Sequence, residues 1–373
     1  MVSIGFDAKR VFKNQTGLGN YGRMVVEGLS RCRPDYDIVL FTPSSDGIYK
    51  HLFDNSNNVS IVEPHGIANV FSRCWRLMSY GVNSISDLSI FHGLSQELPV
   101  KLQESVKKVV TIHDLIAWRY PQYFSVFDRN IYKAKISRAC RVADSVVAVS
   151  QQTADDLVNI LNVPSEKIRV IYQSCNDIFR HQYSENQIAE VRKKYGLPKK
   201  YVVCVGTIEQ RKNQVSVVRM LKYLPDDVQL VLVGRKTSYY GDVESVISAE
   251  NLANRVVVVD NVDFKDLPIF YSQAEVSVYM SLFEGFGIPV LESLTCGTPV
   301  VTSNLSSMPE AGGDAALYAN PENPYEIASQ CMNIIGNGDF RAGFQKRAEN
   351  HCAKFHPEKI ISELINLYEF LVK

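Results

Sequence analysis

Short apolar runs rich in β-branched residues alternate with longer amphipathic stretches along this chain, and the alternation restarts near residue 201. In the first half, residues 2–6, 37–41, 59–62, 89–91, 108–112, 145–149 and 169–171 have the near-continuous apolar character of parallel strands covered on both faces. Between them, 21–29, 126–143 and 151–161 carry apolar residues at helical spacing. In the second half, 201–206, 229–234, 256–259, 276–279 and 299–302 repeat the strand pattern. Strand and helix units run through twice predict an α/β protein of two doubly wound domains. The polar stretch 176–200, with Pro198, is the expected linker, which gives domains at 1–180 and 181–356. The tail 357–373 opens on Pro357 and aligns Ile360, Ile361, Leu364, Leu367, Tyr368 and Val372 on one helical face that must pack somewhere.

Composition narrows the function. Forty Lys plus Arg against forty Asp plus Glu disfavour a nucleic-acid partner, which usually demands a basic surplus. A chain of 373 residues that is 46% apolar and 21% charged reads as soluble and globular, and is longer than one core usually supports. The eight cysteines, at 32, 74, 140, 175, 204, 296, 331 and 352, form no CxxC pair and have no His cluster beside them. No metal site and no disulfide scaffold is expected; the thiols read as free, in a reducing compartment. The N-terminus turns polar by Asp7, too early for a signal peptide, and no run of about 18 apolar residues suggests a spanning helix. A cytoplasmic location is expected.

Four stretches could carry chemistry. Thr16-Gly17-Leu18-Gly19-Asn20-Tyr21-Gly22 is a literal GxGxxG, but about ten residues separate it from the strand 2–6, and the strand 37–41 runs into Thr42 without an acid for a ribose. It is a poor dinucleotide fingerprint. It still offers backbone N–H groups near Gly17 and Gly19 to an anion at a helix N-terminus, although a plain surface loop explains it too. Thr111-Ile112-His113-Asp114 ends a predicted strand, at the edge where open α/β sheets collect ligands. His113 could donate to a phosphate or sugar hydroxyl there, or simply cap its loop. Gly206-Thr207-Ile208-Glu209-Gln210-Arg211-Lys212-Asn213 comes after the strand 201–205, and its two adjacent cations suit a diphosphate as well as a solvated helix start.

The most informative stretch runs from Glu284 to Gly297. Pro289 can open a helix and Gly297 can close it, while Gly285 and Gly287 let the preceding loop approach a ligand. Glu284 lies in that loop and Glu292 in the first helical turn, with seven residues between them, inside a run whose Val290, Leu291 and Leu294 belong to a core. Two carboxylates so placed can grip two polyhydroxylated parts of one ligand beside the positive end of a helix.

These motifs, in this order, resemble the retaining glycosyltransferases of family four, which have the two-domain GT-B fold. Glu284 to Glu292 resembles the family's E-x7-E element, and Gly297-Thr298-Pro299-Val300-Val301 resembles the family's next segment. Gly206 to Asn213 resembles the donor-phosphate loop, Thr111–Asp114 the N-domain histidine strand and Gly17 to Gly22 the N-terminal glycine loop. Phe91-His92-Gly93-Leu94-Ser95 is similar to polysaccharide-assembly members. The resemblance implies two Rossmann-like domains facing across a cleft, the C-terminal helix crossing back to the first. It implies a nucleotide-diphosphate sugar as substrate, with no cofactor and no metal. Arg211 and Lys212 would hold the diphosphate; Glu292 the ribose; Glu284 with the N–H groups of Phe286, Gly287 and Ile288 the transferred sugar or its phosphates. His113 would contact the sugar, Gly17, Gly19, Gly206 and Thr207 would line the donor site, and Asn261 and Val262 would lie where the base is read. Many members carry an arginine where Thr207 stands.

The expectation is therefore a metal-independent retaining hexosyltransferase acting from a nucleotide sugar, GDP-mannose favoured, on a saccharide or lipid-linked saccharide. A sugar-nucleotide epimerase on the same fold and a non-enzymatic nucleotide-sugar binder remain alternatives. The acceptor half is less explicit. Phe71-Ser72-Arg73-Cys74-Trp75-Arg76-Leu77-Met78 and the cation-rich stretch 101–141 allow peripheral membrane contact on the inner face or steering of an anionic acceptor, and ordinary solvated helices explain both.

Overall fold

A computed structural model describes residues 2–54, 56–64 and 88–373; the stretch 71–78 lies outside them. The chain divides into two compact units, Met1–Ser174 with Phe355–Lys373, and Cys175–Lys354.

The first unit is built on a parallel sheet of β1 (Ser3–Asp7), β2 (Asp37–Phe41), β3 (Val59–Val62), β4 (Ile90–Gly93), β5 (Lys107–Ile112), β6 (Ser145–Ala148) and β7 (Ile168–Val170). Its spatial order is β3-β2-β1-β4-β5-β6-β7. Ile4, Phe6, Ile38, Leu40, Ile90, Phe91, Val109, Val110, Val146 and Val147 are fully buried, because helices cover both faces of the sheet. The helix Gly17–Cys32 starts four residues earlier than the sequence spacing suggests, so the expected glycine loop is its first turn.

The second unit repeats the plan with β8 (Tyr201–Val205), β9 (Gln229–Val233), β10 (Val256–Val259), β11 (Val276–Tyr279), β12 (Val300–Ser303) and β13 (Ala316–Ala319), in the order β10-β9-β8-β11-β12-β13. All the strand pairs are parallel. Both sheets change direction beside their first strand, the arrangement that opens a ligand crevice at the carboxyl ends. Strand β13 was not legible: Ala-Leu-Tyr-Ala has little β-propensity, and its pairing with β12 makes it a strand.

The expected linker is largely structured. It holds a 3₁₀ turn, Asp177–Arg180, and the helix Glu185–Tyr195. Ser184 and Gln187 form a reciprocal capping box, and Gly196 closes the helix in the left-handed conformation.

The final helix, Pro357–Val372, belongs to the first unit. Ile360, Ile361, Leu364, Leu367 and Tyr368 enter the core around β1 and the helix Gly17–Cys32, whereas Val372 is largely exposed and outside that face. A Cβ on Gly28 would come within 2.5 Å of Ile361 Cγ1, so the two helices meet where one has no side chain. Tyr368 Oη also lies 2.6 Å from His92 Nδ1, and His92 Nε2 lies 2.8 Å from Thr111 Oγ1. This buried chain ties the last helix to β4 and β5.

Candidate functional site

At the switch point of the second sheet, the loop after β8 (206–213) meets the loop after β11 (280–287). Gly206 has φ 142°, and a Cβ there would lie 2.7 Å from Lys212 Nζ. Gly234, at the end of β9 with φ 145°, would place a Cβ 2.2 Å from the Gly206 carbonyl oxygen. Only glycine allows this closeness, and it lets the Lys212 ammonium fold back over the strand end, 5.4 Å from the centre of the Tyr279 ring. No carboxylate lies within ion-pair distance of Lys212 among the described residues.

Arg211, unlike Lys212, has carboxylate partners of its own. Its guanidinium donates to the Phe283 carbonyl at 2.7 Å and the Glu209 carboxylate at 2.5 Å, and it is ion-paired with Glu284 Oε1. Its backbone carbonyl accepts from Leu282 N–H at 2.8 Å. Arg211 thus joins the two loops, with its charge already matched by two carboxylates. The sequence showed its charge but not its partners.

Glu284 Oε1 also accepts from Tyr279 Oη at 2.6 Å and Ser281 Oγ at 3.0 Å. Ser306 and Ser307 donate to its backbone carbonyl at 2.8 and 2.9 Å. Among the described residues no hydrogen bond reaches Oε2, which leaves that oxygen for a ligand. Burial alone would raise this carboxyl, but Arg211 and Lys212 outweigh it and hold it below the usual range. Glu284 is an anion at neutral pH.

The helix Ile288–Thr295 begins at Gly287, whose φ of 112° favours glycine; a Cβ there would lie 2.6 Å from Met308 Cε. Pro289 stands in its first turn, as expected. The N–H groups of Gly287 and Ile288 meet no acceptor among the described residues. Phe286 is buried beside them. Glu292 is the fifth residue of the helix, a turn further in than the sequence reading placed it. It is buried and accepts from Tyr271 Oη at 3.0 Å. Burial raises its carboxyl to about 7, against the lowering effects of Tyr271 and Lys212. Thr207 continues this loop, its carbonyl accepting from the Gln214 amide at 3.0 Å. Asn261 and Val262 come after β10 at the sheet's edge; Asn261 is exposed, with φ 56°.

In the first unit, His113 is buried and both ring nitrogens are engaged. Nε2 lies 2.9 Å from the Leu94 carbonyl, which can only accept, so Nε2 carries the proton. Nδ1 then accepts from the Gln173 amide at 3.1 Å. Burial chiefly holds the ring at about 4, so it is neutral. A neutral ring bonded on both sides fits the simpler of its two readings, a satisfied loop histidine. The helix end at Gly17 and Gly19 is similarly occupied: Asn14 Oδ1 accepts from the N–H groups of Thr16 at 2.9 Å and Gly19 at 3.2 Å. A Cβ at Gly19 would strike the Asn14 carbonyl at 2.0 Å, whereas Gly17 has open space around it.

In the cation-rich stretch four side chains have partners, while Lys101, Lys107 and Arg141 are exposed. Lys135 pairs with Glu97 at 3.1 Å, Arg138 donates to the Leu98 and Pro99 carbonyls, Arg119 binds Asp156, and Lys133 lies over Trp118. Among the described residues no helix is long and apolar enough to cross a membrane, and no cluster of three metal-ligating side chains occurs.

Residues 16–176 match the profile of Glycosyltransferase Family 4, and residues 187–351 that of Glycosyl transferases group 1. The chain is similar to O-antigen chain mannosyltransferase B of Escherichia coli, 27% identical over 95% of this chain and 96% of that one. O-antigen chain mannosyltransferase RfbU of Salmonella typhimurium is 32% identical over 61% of this chain and 60% of its own. In fold it resembles Anabaena HepE, crystallised with UDP and glucose, at TM-score 0.76 and 19% identity over 99% of both chains. It also resembles WaaG, a glycosyltransferase of lipopolysaccharide biosynthesis, at TM-score 0.71 and 14% identity over 99% of both. The chain is a glycosyltransferase of the GT-B fold. The tandem of matches places it in glycosyltransferase family 4.

Proposed function

We propose that this enzyme transfers a hexose, with retention of anomeric configuration, from a nucleotide-diphosphate sugar to a saccharide or lipid-linked saccharide during polysaccharide assembly. One observation carries the reading: at the β8–β11 switch point an ammonium, two N–H groups and a carboxylate oxygen that have no hydrogen-bond partner among the described residues lie on adjoining loops. Breaking the anomeric C–O bond puts negative charge on the leaving diphosphate and positive charge on the sugar. Lys212 and the N–H groups of Gly287 and Ile288 meet the first need; Glu284 Oε2 meets a hydroxyl of the second. Deleting one such preorganised donor costs about 10²–10³ in rate.

Arg211 acts in this scheme by holding Glu284 and joining the loops, so that Lys212 carries most of the side-chain charge toward the diphosphate. Glu284, stabilised as an anion by three donors on Oε1, is a weak nucleophile. We therefore assign front-face attack, in which the acceptor hydroxyl forms the new bond and passes its proton to the departing diphosphate. Glu292 binds the ribose, Gly206 and Thr207 admit the phosphates, and Asn261 and Val262 face the base.

The mannosyltransferase relatives favour GDP-mannose as donor, and the UDP-bound fold relative makes UDP-sugars the comparison. Thermal shifts against a panel of nucleotide sugars select between them: a donor at 100 Kd should stabilise by about 2.7 kcal/mol. Lys212→Ala and Glu284→Ala should each lose at least tenfold in transfer while remaining folded. Near-normal transfer in either would sink the assignment. Incubation with donor alone separates transfer from epimerisation, since an epimerase needs no acceptor.

A further inference from the structure

The first unit holds a second charged feature that this scheme leaves unused. The residues after β1 form a turn in which Asn14 N–H donates to the Arg10 carbonyl at 3.2 Å. The turn is braced from below by buried Arg23, whose guanidinium donates to the carbonyls of Val11 and Asn14, both at 2.8 Å, and lies 3.6 Å from the centre of the Tyr49 ring. The braced turn bounds an open cavity of about 530 Å³ lined by Lys9, Arg10, Lys13, Asn14, Pro43 and Glu97, beside the switch point between β1 and β4.

The charges around the cavity do not balance. Lys9 is matched by Glu97 at 2.9 Å and Asp7 at 3.8 Å. Glu97 is shared with Lys135. Arg10 and Lys13 have no carboxylate within ion-pair distance among the described residues; Lys13 Nζ reaches only Ser44 Oγ, at 3.4 Å. Arg10 Nε is buried with no hydrogen-bond partner, and so is Oε1 of Gln96, the neighbour of Glu97 in a left-handed conformation with φ 66°. A buried guanidinium donor left open beside a surplus of positive charge calls for an anion, and an open amide oxygen for a hydroxyl. The Arg10 charge also reaches His113 and Tyr132, where it adds to the burial that lowers the first and opposes the burial that raises the second.

We propose that this cavity is an anion subsite, and that the acceptor carries a phosphate or diphosphate group gripped by Arg10 and Lys13. That the occupant is an acceptor rests on the transfer reading above; the affinity of the cavity for a diphosphate does not.

The test titrates inorganic pyrophosphate into the full chain by calorimetry, first alone and then with GDP or UDP at saturation. One pyrophosphate site should survive the nucleotide. Arg10→Gln and Lys13→Glu should each weaken it at least tenfold, and Lys212→Ala should leave it intact. Lys13 is exposed, so its variant tests the charge without risk to folding. Complete displacement by nucleotide, or wild-type affinity in either variant, would overturn the proposal. In transfer assays, Lys13→Glu should raise KM at least tenfold for a saccharide on a lipid diphosphate and leave KM for the same free saccharide unchanged; equal effects on both overturn the acceptor assignment. Absence of transfer from every donor while the pyrophosphate site persists would fail the enzyme reading and not the site.

Discussion

At the scale of single residues, Glu292 couples the site to pH. Its buried carboxyl stands at about 7, so much of the free enzyme carries a proton there at neutral pH. Hydrogen bonds from ribose hydroxyls favour the ionised form and lower that value. Nucleotide-sugar binding should therefore release a proton near pH 6.5, and affinity should fall on acidification below 7. Calorimetry in buffers of different ionisation heats checks both, and Glu292→Gln should abolish the release. Stability runs the other way. The unfolded carboxyl ionises near 4.5 and the folded one near 7, so Glu292 favours the folded state progressively less as pH rises through that window. The charged residues of the site were visible in the sequence because acids and bases flank glycines at strand ends. Their division of labour was not. Tyr271, Tyr279, Ser281, Ser306 and Ser307, which hold the two glutamates, are ordinary residues until the loops bring them together.

At the scale of elements, the packing of the final helix makes the sharpest demand. Gly28→Val would push side-chain atoms into Ile361, which the surrounding core holds in place. Such overpacking costs about 1–3 kcal/mol. Tyr368→Phe removes the partner of His92 Nδ1 and should cost a similar amount, about 1–3 kcal/mol, because the ring is buried. Urea unfolding of both variants checks these figures. The apolar face of this helix was legible from its spacing, but the surface it covers was not, since that depends on a missing side chain more than three hundred residues earlier in the chain. The helix Glu185–Tyr195 was a different case. Its capping box was present in the sequence, and the polarity of the stretch hid it: only Val191 is buried.

At the scale of the whole molecule, the alternation of strands and helices revealed the fold class because fully buried parallel strands must be apolar throughout. The order of strands in each sheet was not legible from any one residue, since the connection rules narrow the topologies without choosing one. The two units differ in how the chain builds them: Cys175–Lys354 is continuous, while the other needs both Met1–Ser174 and Phe355–Lys373. Residues 175–354 alone should therefore unfold in one cooperative transition. Residues 1–174 alone should not, until a peptide of residues 355–373 is supplied in trans; circular dichroism during chemical denaturation would show either outcome.

The same connectivity sets a timetable for synthesis. The 180 residues from 175 to 354 separate the first unit from the helix that completes it. At about 5–20 residues per second, their translation takes roughly 10–35 s. Throughout that interval the groove lined by Val25, Leu29 and Tyr36 has no cover, although the sheet beneath it has already emerged. The half of the enzyme made first is thus the half finished last, and a nascent chain stalled in the second unit would present that groove to chaperones.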